Sequence, residues 1–242
     1  MTVVQRQYYT PQPADARDFK PKAGFLRPLL NWLKPLPFKV ELPYVGDVED
    51  QGQTNSCVGH AVSGALEMLG KGSEQWSRLS IYYWARWYSK TTDEDSGCYI
   101  RDALKGVNRF RVNYESAWPF VFKRMFTEPT LYVNGEHMHI VFNALATEQD
   151  IKQALATGKP VVLAFRVPEQ MGSGTGSGYI LHTPEAMTDN YHAVLVYGYN
   201  LRGLMIKNSY GKNWGWRGLG VLDWAFVRNG DVVDAMSVAL VG

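Results

Sequence analysis

Near Lys159 the chain changes from helix-like to strand-like spacing of its apolar residues, and this change limits the possible folds more than any other feature. Before it, residues 57–70 carry apolar side chains at three- and four-residue intervals, as one buried helix face requires. Further helices are predicted over residues 80–90, 100–109 and 148–157. After it come β-rich runs over residues 160–167, 192–199, 204–210 and 220–227. This order predicts an α+β protein with a helical N-terminal lobe, a β-sheet-rich C-terminal lobe and a cleft between them.

The N-terminal segment differs in composition from the rest of the chain. Residues 1–46 contain seven prolines, which block long helices and predict an extended arm, a candidate regulatory segment, ahead of a compact domain over residues 47–242. Within that domain the helical lobe is expected to end near residue 125. Residues 22–38 of the arm are rich in leucine, so we expect them to lie along the protein surface and restrain access to the cleft.

Charge and hydropathy exclude several classes of protein. The 25 basic and 23 acidic residues leave a formal charge of +2, which gives no strong field for capturing nucleic acid. No stretch approaches the roughly 20 apolar residues that span a bilayer, and the first residues lack the basic start and apolar run of a secretory signal. The chain is therefore expected to act in a cytoplasm, without a membrane span and without a nucleic-acid partner.

The sequence holds only two cysteines, Cys57 and Cys98. They allow at most one disulfide, which excludes a small secreted scaffold held together by cystines. His137 and His139 lie far in sequence from either thiol, so the short ligand spacings of a structural zinc site are missing. We expect neither a metal nor another cofactor.

Cys57 falls in the first turn of the helix predicted over residues 57–70. Unpaired N–H groups and the helix dipole stabilise a thiolate there, although most free cysteines are merely buried. A nucleophilic thiol also needs a base and a group that orients the base, and consecutive strands offer His192 and Asn208. If residues 198–202 form a five-residue hairpin loop, His192 lies opposite Asn208. On these residues alone, a structural histidine in the core remains an equal alternative.

Three motifs together resemble those of the papain and cathepsin family of cysteine peptidases. The stretch VEDQGQTNSC places Gln51 six residues before Cys57, which is similar to the family's spacing between the oxyanion-hole glutamine and the nucleophile. The stretch HAVLVYGY resembles the family's histidine strand, and IKNSYGKNWGWRGLG resembles its asparagine motif. The order cysteine, histidine, asparagine is also the family's, and the match extends over residues 51–220.

The resemblance implies hydrolysis of peptide bonds in a peptide or protein substrate, on a papain-like two-lobe fold. Cys57 would form a thioester, His192 would act as base and then acid, and Asn208 would orient His192. Gln51 and the Cys57 N–H would form the oxyanion hole, since the spacing of Gln53 does not fit. Residues expected to line the substrate cleft are Gly97, Cys98 and Trp214.

Some positions depart from the family pattern. Thr54 replaces a common disulfide cysteine, Val58 a tryptophan beside the nucleophile, and Tyr210 the tryptophan that shields the histidine. Two alternatives stay open: a cell-wall amidopeptidase of the NlpC/P60 type, which also uses cysteine before histidine, and an inactive papain-like module that binds peptides. The set of Gln51, Cys57, His192 and Asn208 disfavours both.

Overall fold

The computed structural model describes residues 9, 11, 35–43, 45–70, 75–130, 135–173 and 177–241. Within them, each predicted helix is present with nearly the predicted bounds. The helices are α1 (Cys57–Leu69), α2 (Arg78–Ser89), α3 (Ile100–Arg109), α4 (Glu148–Ala156) and a short α5 (Ala225–Arg228). The strands are β1 (Val40–Glu41), β2 (Val112–Asn113), β3 (Gly135–Glu136), β4 (Ile140–Ala144), β5 (Val161–Pro168), β6 (Tyr179–Ile180), β7 (Met187–Tyr199), β8 (Gly203–Lys207), β9 (Leu219–Asp223) and β10 (Val232–Leu240).

Helix α1 lies at the centre of the molecule. Every residue from its start to Met68 is buried, because α1 packs against α2 and α3 on one side and against β5 and β7 on the other. Gly59 permits the close contact with α2, since a Cβ at this position would lie 2.5 Å from the Arg78 carbonyl oxygen. A helix enclosed in this way holds its first turn in a fixed position against the sheet.

One large sheet separates two hydrophobic cores. Its strands run in the order β4, β10, β5, β7, β8, β9 and β6, with β1 added to β7. Alternation along β5 sorts its side chains, because Val162 and Ala164 pack in the core shared with α1, whereas Leu163 and Phe165 pack in the second core. The main helices thus precede the long strands of the sheet along the chain, as the change in apolar spacing predicts.

The predicted hairpin register is wrong. Strand β7 continues to Tyr199 and β8 begins at Gly203, so the connection is shorter than the expected loop. Val196 pairs with Ile206, so Asn208 does not lie directly opposite His192 as predicted.

The shorter connection causes the error, and a bulge in β7 moves the register back by one residue toward the predicted one. The pairing shifts between Val196 and Gly198, and Tyr197 faces the α1 core whereas Tyr199 faces the second core. Gly198 accommodates β1 here, since a Cβ would lie 2.4 Å from the Val40 carbonyl oxygen. A side-chain pattern alone does not reveal this extra residue.

The last predicted strand, over residues 220–227, is only partly correct. Strand β9 ends at Asp223, whose Oδ1 accepts a hydrogen bond from the Ala225 N–H at 2.9 Å and favours the turn into α5. Strands β4 and β10 were not predicted. The sequence of β10 mixes polar and apolar residues, and its pairing with β5 shifts between Val232 and Asp234.

Only parts of the proline-rich segment fall within the described residues. The proposed surface segment 22–38 lies outside them except for Pro35–Phe38, which borders a groove of about 410 Å³ on the β-rich lobe. There the Pro37 carbonyl accepts a hydrogen bond from the Tyr199 hydroxyl at 2.9 Å. Strand β1 follows directly and joins the sheet, so sheet pairing begins before residue 47. In the described part of the chain, no helix has the length and apolar character needed to cross a membrane.

Candidate active site

Cys57 is the first residue of α1 and is fully buried. Ser56 occupies the N-cap, and its hydroxyl contacts His60 Nδ1 at 3.3 Å but forms no cap to a backbone N–H of the first turn. The sulfur contacts the backbones of Ala193 and Tyr9. Burial raises the pKa of the Cys57 thiol to about 11, and backbone hydrogen bonds oppose the rise only partly. In the described state the thiol is therefore protonated at neutral pH.

His192 is fully buried on β7, directly before the residue that contacts the sulfur. Its Nε2 lies 2.7 Å from Asn208 Oδ1. This oxygen also accepts the Ser209 N–H at 2.8 Å, which fixes the orientation of the amide. Nε2 must then donate, and Nδ1 becomes the nitrogen that exchanges protons. The contact between His192 and Asn208 therefore forms although the strand register differs from the predicted one.

Aromatic rings enclose the imidazole. Tyr210 lies with its ring centroid 4.7 Å from that of His192 and is 8% exposed. Phe165 approaches from the second core at 6.3 Å, and Trp214 meets Tyr210 edge to face at 6.3 Å. Tyr210 thus covers the imidazole in the position where the resemblance implies a tryptophan. The low polarity around the ring strengthens its hydrogen bond with Asn208.

Gln51 is fully buried, and its side-chain amide is held at both ends. Oε1 accepts from the Ser209 hydroxyl at 2.5 Å, and Nε2 donates to the Thr54 carbonyl at 2.7 Å. One N–H of the amide remains for another acceptor. Gln53 is exposed to solvent. The structure thus brings Gln51, and not Gln53, against the residue that follows Asn208.

The predicted cleft wall is tied to the turn before Cys57. Asp95 accepts hydrogen bonds from the Asn55 N–H at 3.1 Å and from the Tyr82 hydroxyl at 2.7 Å. The same hydroxyl accepts the Gly97 N–H at 3.0 Å, and Gly97 has a φ of 76°, which suits glycine. These hydrogen bonds fix the cleft wall at Gly97 relative to the turn that precedes Cys57.

The second thiol, Cys98, is 3% exposed and lies in the same hydrophobic core as Cys57. Burial raises the pKa of Cys98 well above its usual value, and the neighbouring Cys57 raises it further. Both cysteines are free. Cys98 is thus a neutral, small side chain beside the nucleophile.

Trp214, which is predicted to line the substrate cleft, is a buried residue of the β-rich lobe. It is 4% exposed, and its indole N–H donates to the Met171 carbonyl at 3.3 Å. Trp216 from the same loop is 50% exposed. Trp214 therefore packs against Tyr210 within the protein, whereas Trp216 presents an aromatic surface to solvent.

Tyr9 was not predicted to belong to the site. It is 2% exposed, its hydroxyl donates to Asp234 Oδ2 at 2.8 Å, and its backbone contacts the Cys57 sulfur. Nothing in the local sequence around Tyr9 indicates this position, because its partners Cys57 and Asp234 are both distant from it in the chain. Among the described residues of the N-terminal segment, Tyr9 therefore contacts the thiol, and it precedes residues 22–38 in the chain.

Within the ranges that the structure describes, no group of three or more histidine, cysteine, aspartate or glutamate residues could hold a metal ion. The site is instead composed of a thiol, an imidazole and side-chain amides.

The sequence model of the papain family of cysteine proteases matches residues 38–225. A peptidase C1-like protein of Acanthamoeba polyphaga mimivirus is 28% identical over 88% of this chain and 76% of its own length. Cathepsin R of Mus musculus is 27% identical over 82% of this chain and 61% of its own length.

Solved structures give the same result. Xylellain, a cysteine protease from Xylella fastidiosa, superposes with a TM-score of 0.83 at 28% identity, covering 100% of both chains. A Carica candamarcensis cysteine protease in complex with E-64 shares the fold with a TM-score of 0.65 at 17% identity, over 85% of this chain and 98% of its own. The α+β, two-lobe papain fold expected from the sequence is confirmed. The chain belongs to the papain family of cysteine proteases.

Proposed function

We propose that this cysteine peptidase hydrolyses peptide bonds with Cys57 as nucleophile, His192 as base and acid, and Asn208 as the residue that orients His192. The 2.7 Å hydrogen bond between His192 and Asn208, beside a thiol at the start of a buried helix, carries the proposal. A thiol, an oriented base and a third group that fixes the base are the parts that nucleophilic catalysis requires. Hydrolysis of a fluorogenic peptide, compared with clearing of purified cell walls, tests it. Clearing of walls without peptide hydrolysis would favour the amidopeptidase alternative.

The proposed reaction begins with proton transfer from the Cys57 thiol to His192 Nδ1. Asn208 accepts a hydrogen bond from Nε2 and so keeps the ring in the orientation that this transfer needs. The thiolate attacks the scissile carbonyl carbon, the His192 imidazolium protonates the leaving amine, and a thioester remains. Water activated by neutral His192 then hydrolyses the thioester and restores the thiol.

Gln51 is the proposed side-chain donor to the oxyanion, together with the Cys57 N–H. Its amide is already fixed by Ser209 and Thr54, so orienting it costs little when the oxyanion forms. Because Ser209 follows Asn208, one short segment holds both the oxyanion donor and the imidazole.

The raised pKa of Cys57 and the contact with Tyr9 support a further proposal, that the described state is a covered one. A substrate carbonyl cannot approach a fully buried sulfur until Tyr9 moves away. Departure of Tyr9 also exposes the thiol to water, which lowers its pKa toward the ordinary value.

We expect deletion of residues 1–34 to increase severalfold the rate at which an epoxide thiol reagent labels Cys57. The truncation removes Tyr9 but keeps Pro35–Phe38 and the hydrogen bond to Tyr199. Labelling rate and thermal midpoint should be measured on the same protein. Tyr9→Phe is the matched control, because it removes only the bond to Asp234 and leaves the ring in place. If the truncated protein has a lower thermal midpoint but its Cys57 is labelled no faster, residues 1–34 stabilise the fold and do not restrict access to the thiol.

Cys98→Ser should retain most peptidase activity. Its thiol is neutral and enclosed, and serine has nearly the same size, so the main cost is a buried hydroxyl. Steady-state hydrolysis of the same fluorogenic peptide measures this. A loss as complete as that of a Cys57 variant would mean that the roles of the two thiols had been interchanged.

The proposed substrate is a peptide or protein chain, and the proposed place of action is a reducing compartment such as a cytoplasm. Two free cysteines, one of them proposed as the nucleophile, suit such a compartment. Measured peptide turnover distinguishes this enzyme from a module that only binds peptides.

A further inference from the structure

His60 lies one helical turn after Cys57 on α1 and has no part in the mechanism above. It is 5% exposed and packs edge to face against Phe120, with ring centroids 4.9 Å apart. A histidine in so enclosed a place needs partners for its two ring nitrogens.

One ring nitrogen of His60 is accounted for. Nδ1 lies 3.0 Å from the Ser56 carbonyl oxygen, which can only accept, so Nδ1 carries the proton. Burial, reinforced by the nearby positive charge of Arg78, lowers the pKa of His60 to about 3. The ring is therefore neutral at any ordinary working pH. Nε2 is left as a bare acceptor.

Nε2 has no hydrogen-bond partner among the described residues, although it is fully shielded from solvent. The Nδ2 group of Asn208 is in the same situation, since the amide oxygen alone contacts His192 and Ser209. One buried group is an acceptor and the other is a donor. Each is costly to leave unpaired, and together they are complementary.

Both residues line the same small cavity between α1 and the sheet. The cavity has a volume of about 10 Å³, enough for a single water molecule. Its other polar wall residues are Glu49, Lys207 and Ser209. Lys207 already donates to the Asp47 carbonyl at 2.6 Å, and Glu49 is paired with Arg78.

We propose that His60 is a positioning residue for the catalytic asparagine, acting through one water that donates to His60 Nε2 and accepts from Asn208 Nδ2. The bridge prevents the amide from rotating, so Oδ1 stays directed at His192. This inference rests on the proposed role of Asn208. The helix that begins with the nucleophile then also orients the group that orients the base.

The experiment is a double-mutant cycle on the full chain with a fluorogenic peptide. His60→Phe keeps a ring of similar shape but has no acceptor, and we expect kcat to fall about tenfold with KM nearly unchanged. His60→Gln places an amide oxygen near the former Nε2 and should restore most of kcat. His60→Asn is too short to reach that point and should behave like His60→Phe, which keeps the comparison decisive if the phenylalanine variant does not fold.

The second side of the cycle is Asn208→Ala. This change alone should lower kcat strongly, and if kcat stays unchanged the proposed function itself fails together with the inference. In the Asn208→Ala background, His60→Phe should change kcat less than about twofold, because its target is gone. If His60→Phe costs the same factor in both backgrounds, or if Gln restores nothing, His60 is only a packing residue and the inference is overturned.

Discussion

Replacing Cys57 by alanine should abolish peptide hydrolysis while the protein remains folded. The sulfur is the proposed nucleophile, and without it no thioester forms. The side chain is small and begins a helix whose other residues keep their contacts, so the loss of packing is minor. Steady-state hydrolysis and the thermal midpoint are measured on the same preparation.

Cys57→Ser serves as the matched control for this variant. Serine keeps the size of the side chain, but its hydroxyl is far less acidic than a thiol, so activity should be lost equally. Substantial hydrolysis by Cys57→Ala, with wild-type contamination excluded, would refute the assignment of the nucleophile.

Gln51→Ala should lower kcat by about ten- to a thousandfold and leave KM almost unchanged, because an oxyanion donor acts mainly on the transition state. Gln53→Ala is the matched control, since Gln53 is exposed and has the wrong spacing from Cys57. Kinetic constants for both variants should be measured with one substrate.

The removal of Gln51 also leaves the Ser209 hydroxyl without its acceptor. The thermal midpoint therefore accompanies the kinetics. If Gln53→Ala were the more damaging change, the spacing argument for the oxyanion hole would be incorrect.

The helical half was the most predictable part of the fold. Most residues of α1 are apolar or small and are buried, so the local sequence indicates the helix, although Ser56 at its start forms no side-chain cap and Gly70 at its end has an ordinary negative φ. Strand β5 was predictable for a similar reason, since its continuous apolar run is buried on both faces.

The register of β7 with β8 was predicted wrongly because β7 continues through Gly198 to Tyr199, where β1 pairs with it, and the connection to β8 is therefore shorter than the expected five residues. His192 and Asn208 nevertheless meet at 2.7 Å, because Asn208 follows the last residue of β8 and is not held in the strand ladder.

The environment of the thiol was beyond sequence reasoning altogether. The contact between Tyr9 and Cys57 joins distant parts of the chain, and the cavity beside His60 forms only when α1 packs on the sheet. Residue type and spacing thus predicted which groups react, whereas packing decides what covers and supports them.

The most direct test of the central claim is labelling of the intact protein with an epoxide thiol reagent, followed by mass mapping of the modified residue. The proposed mechanism predicts one label per chain, on Cys57, with loss of peptide hydrolysis in proportion to labelling. Labelling should disappear in Cys57→Ala and in His192→Ala, because the second variant lacks the base that generates the thiolate. Inactivation with the label on Cys98, or full hydrolysis by a protein labelled at Cys57, would contradict it.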